Sequence, residues 1–175
     1  TGMSDTNPMV IYSNNGGVSW TKQLLSLPLG YASGILSAVT CHGNRCNAAG
    51  VFTDGSSDDH PVVALSTDGG QHWAPTVLDP IAVHMTEGTL GNITCSGNYC
   101  IASGSYSAAP YDDVPAVAIS ADQGNTWPQQ HLFTIPSGYH NGQLYGIECE
   151  SATCIAVGYL ETLSARILPM VVTST

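Results

Sequence analysis

Short apolar runs recur along the chain, each bounded by Gly, Asn, Ser or Pro. PMVIYS (8–13), PVVALS (61–66), PAVAIS (115–120) and PMVVTS (169–174) all open on a proline, and those prolines lie 53, 54 and 54 residues apart. Runs of this length, rich in Val and Ile and punctuated by turn residues, predict short strands. A proline suits the first residue of a strand, where its missing N–H falls at the end of the ladder. Two further motifs keep the same period. SNNGGVSW (13–20), STDGGQHW (66–73) and SADQGNTW (120–127) continue the first three runs. VTCHGNRCNAAG (39–50), ITCSGNYCIASG (93–104) and IECESATCIAVG (147–158) fall between them. Three motifs in one register mark an internal repeat.

Each unit reads as four strands. In the middle unit TLGNITC (89–95) and YCIASGSY (99–106) form a hairpin around Ser96, Gly97 and Asn98. PAVAIS (115–120) is the third strand, and the fourth runs from Thr126 towards Phe133. The first unit begins at its third strand and the last ends at its third strand, so the count is two, four, four and three, or thirteen. A four-stranded unit of about 50 residues has the size of a propeller blade.

The octet Ser-x-Asp-x-Gly-x-x-Trp resembles the Asp-box, or BNR, repeat. Ser66, Asp68, Gly70 and Trp73 match it fully, as do Ser120, Asp122, Gly124 and Trp127; Ser13, Asn15, Gly17 and Trp20 match with Asn in the Asp slot. The resemblance spans essentially the whole chain. It implies an all-β fold of β-propeller blades over residues 1–175, with three four-stranded antiparallel repeats at roughly 8–60, 61–114 and 115–168 and an extra strand at 169–175. In the sialidases, sortilin-type receptors and secreted bacterial proteins that carry the box, it is a hairpin between the third and fourth strands of a blade. Its residue chemistry agrees. Asp or Asn accepts hydrogen bonds from backbone N–H groups across a turn, Gly adopts a conformation other residues resist, and Trp covers apolar surface. The box recurs in every unit, whereas catalysis needs one site, so its acids are expected to hold turns. Three blades cannot close a ring, and closure is how a propeller hides its edges. The expectation is a segment of a longer propeller, or a half-ring that associates with a second copy through its open blade edges to give six blades.

Six cysteines fall as the pairs Cys41/Cys46, Cys95/Cys100 and Cys149/Cys154, each flanking the turn between the first and second strands. That spacing puts the two Cβ atoms opposite each other on adjacent strands, within reach of a disulfide. One pair supplies only two sulfurs and a whole unit separates it from the next, so disulfides are expected rather than a metal. They imply an oxidising compartment: extracellular, cell surface or periplasmic. The chain opens at Thr1 without a visible signal peptide, which accords with one having been removed.

Charge is scarce and one-sided. Three Lys and Arg face thirteen Asp and Glu, for a formal net charge of −10. Such a surface repels phosphate backbones and anionic lipid, which argues against nucleic acid as a partner. No apolar run approaches the ~20 residues of a membrane helix, so no membrane insertion is expected.

The Cys turns and the octets share one end of each predicted unit, and the variable loops share the other. Binding usually resides in such loops on a rigid scaffold. Tyr31, His84, Tyr139 and His140 on the loops between units, with Tyr111, Asp112 and Asp113 on a longer loop, are the candidate ligand contacts. Aromatic rings stack on the apolar face of a sugar and carboxylates accept from its hydroxyls. Tyr31 and Tyr139, in a repeated Gly-Tyr, equally suit packing between units. The acid pairs Asp58/Asp59 and Asp112/Asp113 offer oxygen ligands for calcium, but they lack the alternating ligands and turn glycine of an EF-hand loop. No cofactor or metal is therefore expected.

The resemblance suggests sialidase, but family sialidases hold the substrate carboxylate with three arginines. This chain has only Arg45 and Arg166, and no nucleophile elbow or triad spacing is present. The expected function is a non-enzymatic binding module for glycan or protein. A structural protomer that assembles into a ring or filament, and a fragment of a glycoside hydrolase with its catalytic groups elsewhere, are the alternatives.

Overall fold

In a computed structural model, residues 7–79, 85, 87–107, 113–150 and 153–174 are described. Among them thirteen strands form four antiparallel sheets, with no helix. Sheet I is the hairpin of β1 (Met9–Tyr12) and β2 (Thr21–Leu24). Sheet II runs in order through β3 (Tyr31–His42), β4 (Arg45–Asp54), β5 (Asp59–Ser66) and β6 (Ala74–Val77). Sheet III repeats it with β7 (Glu87–Ser96), β8 (Tyr99–Ser107), β9 (Asp113–Ser120) and β10 (Gln129–Leu132). Sheet IV has β11 (Tyr139–Glu150), β12 (Thr153–Thr162) and β13 (Ile167–Thr173). The two-four-four-three count is the one the repeat predicts. The first strands reach further into the loops than their apolar runs suggest. The fourth strands are only four residues long, because the octet turn uses up the chain before them.

The sheets pack face to face in sequence order. β7 lies across β3, β4 and β5, and β11 lies across β7, β8 and β9. Between sheets II and III, Ala49, Val63 and Leu78 meet Leu90, Ile93, Ala102, Ala118 and Trp127. Between sheets III and IV, Val117 meets Leu144, Ile147 and Ala156, with Ile101, Phe133 and Met170 alongside. Leu25 and Val10 of sheet I pack on Leu36, Ala48, Ala64 and Trp73. Large side chains on each first strand thus fill space left by alanines on the second and third. Burying each Leu or Ile stabilises the stack by about 1.5–3 kcal/mol.

The glycine that ends each Cys motif has a steric cause. β3, β7 and β11 all carry a bulge, at Leu36/Ala38, Leu90/Asn92 and Leu144/Gly146. Their backbone presses onto the second strand there. A Cβ at Gly50, Gly104 or Gly158 would lie 2.0, 1.9 or 1.9 Å from the carbonyl oxygen of Ile35, Thr89 or Gln143. Backbone cannot yield that far, so only glycine fits.

Cys41–Cys46, Cys95–Cys100 and Cys149–Cys154 are all disulfides between directly opposed residues, with Cα atoms 4.1 Å apart. An oxidising environment for the chain follows from them. All three expected bridges form, and they differ in how deeply the second cysteine is buried. Cys46 and Cys100 are buried, each beside the serine that opens an octet, Ser66 or Ser120. Cys154 is only half-buried. Its neighbour across the sheet is Ser174, just past β13: Cys154 N–H donates to Ser174 Oγ at 2.8 Å, and Ser174 N–H donates to Cys154 O at 2.9 Å.

Candidate functional site

The two ends of each sheet differ in kind. At one end the octet turn is tied to the Cys hairpin: Gly69 N–H donates to Asn44 O at 2.7 Å, and Gln123 N–H to Asn98 O at 2.8 Å. At the other, Gly55 N–H donates to Gly30 O and Leu163 N–H to Gly138 O, both at 3.2 Å.

The octets are closed hydrogen-bond circuits. The Ser120 hydroxyl donates to Asp122 Oδ1 at 2.7 Å and accepts from Gly124 N–H at 2.8 Å. Asp122 accepts from Thr126 N–H at 2.9 Å and from the Thr126 hydroxyl at 2.6 Å. Trp127 Nε1–H donates to Gly124 O at 3.3 Å. Ser66, Asp68, Gly70 and Trp73 repeat the circuit, with His72 in place of Thr126: His72 N–H donates to Asp68 Oδ1 at 2.9 Å and His72 Nδ1 lies 2.6 Å from Oδ2. In the first octet Asn15 Oδ1 accepts from the Ser13 hydroxyl and from Ser19 N–H, both at 2.9 Å, and Gly17 N–H donates to Ser13 Oγ. Trp20 stays exposed there. The chain turns through the left-handed region at Gly16 and Gly17, Gly69 and Gly70, and Gln123 and Gly124. Hydrogen bonds to the ionised form lower both acids. The Thr126 hydroxyl and N–H bring Asp122 down to about 2, and bonds from His72 hold Asp68 well below the usual carboxylate range. Their oxygens are occupied in holding the turn.

The loop end carries a different surface. Asp59, Glu87, Gly88, Thr89, Ser105, Ser107, Asp113 and Gln143 line a cleft of about 210 Å³. Strand register explains the gathering. Glu87 stands opposite Ser107, Thr89 opposite Ser105 and Ser107 opposite Asp113, so alternate residues of three neighbouring strands share one face. Gln143 arrives from β11 and donates to Thr89 Oγ1 at 3.2 Å. Asp59 accepts from Thr53 and Asp113 from Ser107, and Asp113 N–H donates to Asn141 Oδ1. Burial raises the Glu87 pKa, and the nearby negative charges of Asp58, Asp59 and Asp113 add to it. Among the described residues no three His, Cys, Asp or Glu side chains are grouped to hold a metal ion.

Of the contacts expected from sequence, Asp113 lines this cleft. Tyr31 opens β3 and packs within its own sheet, its ring 5.8 Å from Phe52 and 5.4 Å, edge-on, from His60. Tyr139 and His140 open β11, half-buried, just before the Asn141 that binds Asp113. The Nδ1 atom of His140 is buried without a hydrogen-bond partner among the described residues. His84, Tyr111 and Asp112 lie outside the described residues. Sequence reasoning missed Glu87, Thr89, Ser105, Ser107 and Gln143. The alternation of polar residues at 105 and 107 was the available signal, but its partner face appears only once β7 and β8 are in register.

Cys154, expected only to close its hairpin, also lines an apolar cleft of about 320 Å³ between sheets III and IV, with Ile101, Val117, Phe133, Ile147 and Val172. Its sulfur is spent in the bond to Cys149, so it brings neither a thiolate nor a metal ligand to that cleft.

No protein-family model matches this chain, and no curated protein matches it significantly.

Proposed function

We propose that the chain is a group of β-propeller blades of the Asp-box kind, secreted or displayed at a cell surface, that binds a hydroxyl-rich ligand such as a glycan without transforming it. Three meander sheets and a two-stranded hairpin, stacked face to face and repeating every 53 to 54 residues, support the propeller reading, as do the octet turns placed between third and fourth strands. The disulfides support export.

One observation carries the ligand class. The loop-end cleft is lined by carboxylates, hydroxyls and a side-chain amide, with no large apolar side chain. Carboxylates and hydroxyls suit the dense donors and acceptors of a sugar, and sheet strands rather than mobile loops hold them in place. The test is a glycan array followed by calorimetric titration of any hit. Ser105→Ala and Asp113→Asn are expected to weaken binding about tenfold each, the loss of one hydrogen bond to a charged or buried group. Binding untouched by both substitutions would overturn the assignment to this cleft.

The gathering of Glu87, Asp59 and Asp113 in one cleft favours a second reading, glycoside hydrolysis, which needs a pair of carboxyl groups at one bond. Release of reducing sugar from any glycan that binds, abolished by Glu87→Gln, would establish it; no release would leave binding alone.

A further inference from the structure

The chain builds one interface twice. Ala49 and Val63 on sheet II are covered by β7, and Ser103 and Val117 on sheet III are covered by β11; all four are buried. The residues one period further on are Val157 and Val171 of sheet IV. They are 46% and 66% exposed, and Ile155 beside them is also exposed. The covering side shows the converse. Ile93 of β7 and Ile147 of β11 are buried, whereas Val39, their counterpart on β3, is 61% exposed. Val39 borders an apolar groove of about 380 Å³ between β1 and β3, lined also by Met9, Ile11, Leu36, Ala48 and Trp73. Among the described residues sheet I is a two-stranded hairpin, and no further strand of it lies over Val39.

We propose that a second copy of this chain fills this groove with its β11–β12 hairpin. β12 of one copy pairs along the free edge of β1 in the next, taking Val157 opposite Val10. The same register joins Ala49 to Val63 in sheet II and Ser103 to Val117 in sheet III. β1 displaces β13, which holds the equivalent place on β12 with Val171 opposite Val157. The joint product is a four-stranded sheet, β11–β12 of one copy with β1–β2 of its neighbour, and Val157 comes to lie on Val39. The occupant is identified by continuity: the two exposed faces are the two halves of an interface the chain already forms between sheets II and III and between III and IV. Pairing also relieves sheet I, since an isolated two-stranded hairpin is marginal in water. The side chains named at the contact carry no charge, while the β11–β12 hairpin also bears Glu148, Glu150 and Glu161 and the chain as a whole carries −10. Salt therefore screens the repulsion between copies and tightens the association.

This inference is independent of the ligand reading. It is tested by light scattering of the 175-residue chain over a concentration series at low and moderate salt. The expected result is a multiple of the single-chain mass that grows with concentration and with salt. Val39→Asp and Val157→Asp are each expected to be monomeric. An equimolar mixture of the two is expected to form a one-to-one dimer, because one intact pair of faces remains. Both positions are exposed in the single chain, so its fold survives, which circular dichroism checks; Val39→Thr and Val157→Thr serve as milder replacements. A wild-type chain that stays monomeric throughout, association indifferent to both substitutions, or a mixture that stays monomeric would each overturn the proposal.

Discussion

The side-chain amide of Asn47, on β4, occupies the space a side chain at Gly124 would need. A Cβ there would lie 1.8 Å from Asn47 Oδ1 and 2.6 Å from Cγ. The same amide donates to Gln123 O at 3.3 Å and contacts the sulfurs of Cys95 and Cys100 at 3.6 Å, and Arg45 Nε–H donates to Gln123 O at 2.8 Å. Sheet II is thereby fastened to the octet turn of sheet III. Gly124→Ala is expected to destabilise the chain by about 2–3 kcal/mol, from overpacking and from strain at its positive φ. With Asn47→Ala already in place the penalty is expected to fall by about half, since the clash disappears and only the backbone strain persists. A double-mutant cycle by denaturant unfolding measures the coupling; strictly additive losses would show that the two residues do not oppose each other.

Gly104→Ala and Gly97→Ala separate close approach from backbone conformation. A Cβ at Gly104 meets Thr89 O at 1.9 Å, whereas Gly97 has a φ of +60° and nothing within 4 Å. The first is expected to cost about 3 kcal/mol or more and to unfold much of the population. The second is expected to cost about 1 kcal/mol. Thermal melts of the two variants compare them directly.

Asp122 and Asn15 hold equivalent turns with equivalent bonds, so Asp122→Asn is expected to melt close to wild type and Asp122→Ala well below it. The folded-state pKa of Asp122 is lowered from 3.8 to about 2. Its contribution is therefore fully present above the unfolded value and is lost as pH falls through the window from 3.8 towards 2. Over that window wild type is expected to lose its advantage over the Ala variant, which melts recorded from neutral pH downwards will reveal.

Glu87 shifts the other way. Its folded pKa is raised above 4.5 by burial and by Asp58, Asp59 and Asp113. The folded state then holds the Glu87 proton more tightly than the unfolded chain does, so this group favours folding most below 4.5 and opposes it as pH rises above that value. Glu87→Gln is expected to raise the melting temperature at neutral pH and to leave it unchanged at about pH 3.5. A lower melting temperature at neutral pH would show that the carboxylate is stabilising there.

The strand count, the disulfide pairing and the octet turns were legible in the sequence because they are local. A strand alternates with a period of two, a turn selects Gly and Asn within four residues, and Cys95 and Cys100 stand opposite each other once a hairpin joins them. The 54-residue period multiplied each of these signals. The same period made Cys154 look like Cys46 and Cys100; its lesser burial depends on what packs over the hairpin, which the motif does not encode. The loop-end cleft was legible only through Asp113 and the Asp58/Asp59 pair. Its lining comes from β5, β7, β8, β9 and β11, and the side chains converge only when sheets pack face to face. The closeness of Asn47 to Gly124, and of Thr89 O to Gly104, depends likewise on how near one strand lies to another. A pattern along one strand tells which face is apolar, and the repeat tells that the faces are alike. The distance and stagger between faces are set by side chains filling one another's gaps, here Leu90 and Ile93 over Ala49, and that is decided only in the tertiary structure.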